Sequence, residues 1–454
     1  MRRPIVLVHG YSDEGESFRT WESVLTANGY EAEHVHLGHY VSLSNDVSIK
    51  DIAEGFDRAL RTSPLLGGGE PFDAIVHSTG MLVVREWLAG TSGAAGSPDI
   101  ARERRGRLRH LIGLAPATFG SPMAHKGRSW LGAMFKGRKA LGPDFLEAGD
   151  QVLSGLELAS AYTWDLAHRD FLAASPVYDT SSRTPYAFVF MGLDDYGFLK
   201  RAITEPGTDG TVRWAGAGFN VRKIRINLTQ RDVAVRLRVD PWTNSHVPLV
   251  FLPGQNHGTI LTEPSVDLQR MVLEALAVDD AAGYRRFAAA AEQSSAQALT
   301  AGKAKAWQQF IVHAVDERGD GIRDYFVQLG EVVQQRYRPL DRFSLDVHPY
   351  RDDPSYRSFH VDLDALAPER LQTLAIRIIA SSGTELVGYQ GFNDLDGVTL
   401  PSREVDKWDA WVAFDPDITG VRFFYPYTTT LVELVLNREP APFEGPNRVF
   451  TFLA

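Results

Sequence analysis

Phe72-Asp73-Ala74-Ile75-Val76-His77-Ser78-Thr79-Gly80, followed directly by Met81 to Leu88 and then Gly90, decides how this chain is read. Residues 72–77 are an apolar run of strand length, and Met81 to Leu88 is an apolar helical stretch that a glycine ends. A strand that becomes a helix within a few residues must turn sharply. A serine on such a turn is held above the sheet with its hydroxyl clear of the backbone. The amide that follows it faces the same space, at the positive end of the new helix. Outward from this point the same grammar repeats. Ile5 to Val8, Ala32 to Leu37, Leu108 to Ala115, Tyr186 to Met191 and Val247 to Leu252 read as strands. Phe18 to Asn28 and Ile49 to Thr62, the latter capped by Ser48, read as helices between them. Strands that alternate with helices predict a mostly parallel sheet covered on both faces, an α/β fold.

Thr118 to Arg183 has no strand character and exceeds an ordinary loop, so residues 118–183 are expected to be a partly helical cap insertion, with Trp130, Phe135, Phe145, Tyr162, Trp164 and Phe171 among its aromatic residues. From Trp307 the pattern changes to period two. Phe310 to Val315, a turn at Arg318-Gly319-Asp320-Gly321, and Tyr325 to Val327 read as a hairpin, and further short strands follow without helices. The expected organisation is a catalytic domain over residues 1–283, a helical linker over 284–304 and a smaller β-sandwich domain over 305–454.

Composition narrows the classes of function. The chain has 454 residues, 44% of them hydrophobic and 23% charged, which suits a folded soluble protein. With 47 Lys and Arg against 57 Asp and Glu, the net charge of −10 argues against a general nucleic-acid binder. There are no cysteines, so disulfides, thiolate metal sites and a cysteine nucleophile are excluded. No apolar run reaches the roughly 18 residues of a membrane helix, and Pro4-Ile5-Val6-Leu7-Val8 reads as a core strand, not a signal peptide. The expected location is cytoplasmic.

Ser78 is the candidate nucleophile. The first strand ends in Val8-His9-Gly10-Tyr11, a turn at the carboxyl edge where ligands gather in open α/β sheets, so the Tyr11 and Thr79 amides are the candidate oxyanion donors. His257 follows the strand Pro248 to Leu252 on a loop at that same edge, whereas His246 precedes the strand and belongs at the opposite one. His77 is expected to point away along the turn, and His9 to brace its own turn. For the acid, Asp194, Asp195 and Asp209 all follow the strand ending at Met191.

IVLVHGY, VHSTG, LAPATFGSP, GTDGTVRWAGA and GQNHGTIL together resemble the α/β-hydrolase superfamily, specifically bacterial lipases and carboxylesterases, over residues 4–277. Val76 stands where the usual G-x-S-x-G motif has its first glycine, and Met81 stands where another small residue is usual. The VDERGDGIRDYFV segment resembles the first hairpin of an immunoglobulin-like module. The hydrolase resemblance favours Asp209 as the acid and implies a Ser78-His257-Asp209 triad that hydrolyses short- to medium-chain carboxylic esters, lactones or lipids among them. It implies no metal and no organic cofactor. The implied partner is a small-molecule ester, with the C-terminal domain available for an oligomer or partner contact. An acyltransferase or thioesterase on the same triad, or a binding protein working through the β-sandwich, are the alternatives.

Overall fold

The computed structural model describes residues 2–11, 16–90, 98–124, 149–181, 183–196, 205–334, 336–341, 345–371, 373–392, 407–414 and 422–453. Six parallel strands form the first sheet: β1 (Ile5–Val8), β2 (Val35–Gly38), β3 (Phe72–His77), β4 (Leu108–Leu114), β5 (Tyr186–Gly192) and β8 (Leu249–Leu252), in the order β2-β1-β3-β4-β5-β8. The four central strands are buried almost throughout, as their near-continuous apolar sequences require when both faces are covered. Helices α1 (Arg19–Ala27), α2 (Ile49–Thr62), α3 (Gly80–Ala89) and α4 (Pro98–Arg107) separate them. Ser48 caps α2 in a reciprocal box with Asp51, each side chain accepting from the other's backbone amide.

Within the inserted stretch, α5 (Asp150–Leu156) and α6 (Ala161–Arg169) are helical, and Phe119, Trp164, Phe171 and Tyr178 are buried. Trp130, Phe135 and Phe145 lie outside the described residues. The insertion is tied to α3 by a fully buried ion pair. Arg85 donates from Nε and Nη2 to the two Asp170 oxygens at 2.7 and 3.0 Å, and its guanidinium lies 4.0 Å from the centre of the Phe171 ring. Burial works against the Arg85 charge, and the neighbouring Asp170 carboxylate outweighs it, so its pKa is raised. Asp170→Ala is expected to destabilise the protein by about 3–5 kcal/mol, because it leaves a buried guanidinium without its counter-charge. Urea unfolding measures this, and a change below 1 kcal/mol would show that water or another acid compensates.

Helix α7 (Val266–Leu276) precedes α8 (Ala281–Ala301), which covers the stretch read as a linker. It is a packed element: Tyr284 donates its hydroxyl to the Ala187 carbonyl at 2.7 Å, and Ser295 Oγ accepts from Phe251 N and donates to the Leu249 carbonyl, both at 3.1 Å. Ser295 thereby satisfies backbone groups on the outer side of edge strand β8.

The chain divides into two compact units. Met1–Val221 with Thr243–Lys305 makes the first, and Arg222–Trp242 with Ala306–Ala454 the second. Residues 222–242, which the sequence reading assigned to the 1–283 domain, thus group with the C-terminal part. Strand β6 (Val221–Asn227) and its partner β7 (Leu237–Val239) extend a sheet of order β12-β13-β9-β17-β6-β7, in which Ile224 and Ile226 join the core. Its other strands are β9 (Trp307–Asp316), β12 (Leu345–Pro349), β13 (Tyr356–Asp362) and β17 (Thr429–Pro440), and β15 (Val387–Gln390) pairs with β17. The facing sheet, β11-β10-β14-β16, comprises β10 (Asp324–Val333), β11 (Arg336–Pro339), β14 (Leu374–Ser381) and β16 (Lys407–Phe414). The hairpin expected from β9 and β10 is not formed. After a single antiparallel bridge at Val315 and Gly321 the two strands enter opposite sheets. Crossing between sheets turns Val312 and Ala314 of β9 and Val327 and Leu329 of β10 into the same core, which alternation alone does not distinguish from direct pairing. No helix among the described residues is long and apolar enough to cross a membrane.

Candidate active site

Strand β3 delivers Ser78 to the carboxyl edge of the first sheet. Ser78 has φ of 51°, a left-handed backbone for a residue with a side chain, and Gly80 opens α3 two residues later. Such strain at a strand-to-helix turn costs of order 1–2 kcal/mol and persists only where the surroundings impose it. Here two glycines allow the crowding. A Cβ on Gly80 would lie 2.6 Å from the Val8 carbonyl oxygen, and one on Gly10 would lie 2.9 Å from Ser78 Cβ. Val76 and Met81, the two departures from the usual motif, are accommodated by a third. Gly113 sits opposite Val76 on β4, and a Cβ there would collide with Met81 Cε at 2.6 Å.

The β1 turn packs directly on this elbow. His9 braces it from within: Tyr40 N donates to Nε2 at 3.2 Å, which leaves Nδ1–H to donate to the Gly10 carbonyl at 2.6 Å. The Tyr40 ring stacks on His9 at 4.1 Å and donates its hydroxyl to the His9 carbonyl. Tyr11, next along, is buried. Thr79 is fully buried at the start of α3, and its hydroxyl has no hydrogen-bond partner among the described residues.

His257 and Asp209 meet, and both are fully buried. His257 Nδ1 lies 2.9 Å from Asp209 Oδ2, and because a carboxylate only accepts, Nδ1 carries the proton and Nε2 is left as the basic nitrogen. The other Asp209 oxygen accepts from Thr211 N at 3.0 Å and Val212 N at 2.8 Å, and His257 N donates to the Asp209 carbonyl at 3.1 Å. Gly210, at φ of 98°, permits the turn. Asp194 is exposed and Asp195, directly before Tyr196, is half-buried; the carboxylate on His257 Nδ1 is that of Asp209. Asn256 holds the His257 loop by accepting from Gly258 N and Thr259 N.

Two contributors were missed by the sequence reading. His77 does not point away. Its Nε2 donates to the His257 carbonyl at 2.9 Å, the two rings are 4.7 Å apart, and its Nδ1 would lie 3.2 Å from a Cβ on Gly10. It therefore joins the His257 loop and the β1 turn to the end of β3, one residue before Ser78. Burial, with the His257 and His9 imidazoles nearby, pushes its pKa well below the usual histidine value and keeps it neutral. Tyr196 is the other. Its ring lies against Gly210 and Gly258, and its hydroxyl meets Thr211 Oγ1 at 3.0 Å, so it covers the Asp209–His257 pair. No periodic pattern in the sequence signals its place. His246, by contrast, stands before β8, exposed, with its ring 6.1 Å from that of Tyr284. His246→Ala is expected to leave turnover within a few-fold, measured on a chromogenic ester.

Among the described residues the one grouping of potential metal ligands, Glu31, Glu33 and His34, lies at the surface away from these groups. No protein-family model matches the sequence, and no curated protein matches it. Among solved structures, phospholipase PlaB from Legionella pneumophila is similar over 100% of this chain and 97% of its own, with a TM-score of 0.75 at 22% identity. PlaB in complex with thio-NAD is similar over 99% and 97%, with a TM-score of 0.75 at 21% identity. The first unit has the α/β-hydrolase fold. In this fold the sheet begins at edge strand β2, and the second unit supplies a separate β domain. The mature Bacillus licheniformis lipase BlEst2 overlaps 60% of this chain and 92% of its own, with a TM-score of 0.39 at 13% identity.

Proposed function

We propose that this chain is a serine ester hydrolase in which Ser78 attacks the ester carbonyl, His257 takes its proton and Asp209 holds the imidazole in the required tautomer. The observation that carries the reading is the fully buried Asp209–His257 hydrogen bond, whose loop is held by His77, the residue directly before Ser78. Nε2 of His257 is then the base, the Tyr11 and Thr79 amides receive the oxyanion, and a water activated by His257 releases the acid. Every group assigned a role lies in the first unit. The substrate class is carboxylic esters, and the overall similarity to a protein described as a phospholipase makes lipid esters the first to test.

A fluorophosphonate probe tests the nucleophile, with covalent labelling expected in the parent protein and lost in Ser78→Ala. A panel of p-nitrophenyl esters from acetate to palmitate, lactones and phosphatidylcholine vesicles tests the substrate. A chain that neither labels nor hydrolyses any of these is not an ester hydrolase.

His77 is the positioning residue in this scheme. His77→Ala is expected to lower kcat by up to about 10²-fold with KM little changed, since small displacements of a base are costly. His77→Gln, which keeps a donor, should recover most of it. Equal loss in both variants would assign His77 to packing.

A further inference from the structure

Between the two sheets of the second unit lies a cavity of about 100 Å³ lined entirely by hydrocarbon and aromatic side chains. One wall comes from Phe359, Val361 and Val432, the other from Leu374, Ile376 and Phe414. Protein interiors seldom leave a void this large, and one without polar groups does not hold water. A dry apolar cavity of comparable size, roughly 150 Å³, takes up a small apolar molecule.

The position of the void restricts its occupant further. Val327, Leu329 and Leu345 also line it, and these three are only partly buried. They lie on the side of the sandwich where β12 ends one sheet and where β11 pairs with Gly330–Val333 and Leu340 N donates to the Leu329 carbonyl, leaving Val327 on the outermost strand of the other. Val347, in register with the lining residue Phe359, is 42% exposed at this side. The cavity therefore has an apolar approach between two strand edges. Facing sheets are about 10 Å apart and filled by one interdigitated layer of side chains, so a gap in that layer has the cross-section of a single side chain. One alkyl chain matches that cross-section, whereas a fused ring system does not.

We infer that the C-terminal β-sandwich binds the end of a single hydrocarbon chain, inserted between its two sheets from the Val327–Leu345 side with the polar end left in water. The site is separate from Ser78 and does not depend on the catalytic assignment.

Dodecanoic acid, titrated below its micelle concentration into the full-length protein, tests this by calorimetry, with native mass spectrometry reporting stoichiometry. The expected result is saturable binding of one molecule that weakens at least tenfold both in Val432→Phe, which fills the cavity, and in Val327→Trp, which obstructs the approach. Ester hydrolysis should be unchanged in both. If Val432→Phe fails to fold, Val327→Trp, at a partly exposed position, carries the test. Absence of saturable binding to the parent protein overturns the inference. So does binding that a folded Val327→Trp leaves unaltered, which would locate the fatty acid elsewhere.

Discussion

Ser78→Ala is expected to fold as the parent does and to lose about 10⁶-fold in turnover on an activated ester, the scale of loss when a triad nucleophile is removed. Stability is preserved because alanine and serine meet the same cost at a φ of 51°. A second substitution separates chemistry from architecture. Ser78→Gly removes the Cβ from that left-handed backbone and should stabilise the protein by about 1 kcal/mol while being equally inactive. A residue kept for catalysis against a backbone cost behaves in this way, whereas a helix-capping serine would not. Urea unfolding and initial rates, measured on the same preparations, give both numbers. Turnover within 100-fold of the parent in Ser78→Ala, after contaminating esterases are excluded, would remove Ser78 from the mechanism.

Asp209→Asn is the second large effect, about 10⁴-fold in turnover with little loss of stability. The asparagine oxygen can keep the bonds from Thr211 N and Val212 N, so the turn around Gly210 should stand. What changes is the group facing His257 Nδ1. An amide NH₂ there favours the tautomer with its proton on Nε2, which is then no longer available as a base. Asp194→Asn and Asp195→Asn serve as controls and should stay within a few-fold, since neither carboxylate occupies His257 Nδ1. Comparable losses in an Asp195 variant would move the acid to that position.

The β3-to-α3 turn shows how far local pattern reaches. A mostly apolar strand of six residues, a small polar turn and a mostly apolar helix specify a sharp bend without reference to the rest of the chain, and the parallel sheet follows from repetition of that unit. The departures at Val76 and Met81 were visible, but not their consequence, because Gly113 makes room for Met81 from a neighbouring strand more than thirty residues away. The β6–β7 strands illustrate the opposite case. Ile224-Arg225-Ile226-Asn227-Leu228 alternates as a half-buried strand should, yet it lies between segments of the first unit in sequence and its sheet partner β17 begins at Thr429. Alternation reports that one face is buried and says nothing of which sheet buries it.

By itself, the sequence determined what depends on near neighbours: the strand–helix rhythm, the bend at Ser78, the cap at Ser48 and the placement of His257 on a loop after a strand. Only the tertiary structure decided which aspartate meets that histidine, that His77 holds the His257 loop instead of pointing away, and that β9 and β10 part into opposite sheets. The reason is physical. A hydrogen bond of 2.9 Å between residues 48 apart depends on where two loops end, and those end points are set by packing across the whole sheet rather than by the residues that make the bond.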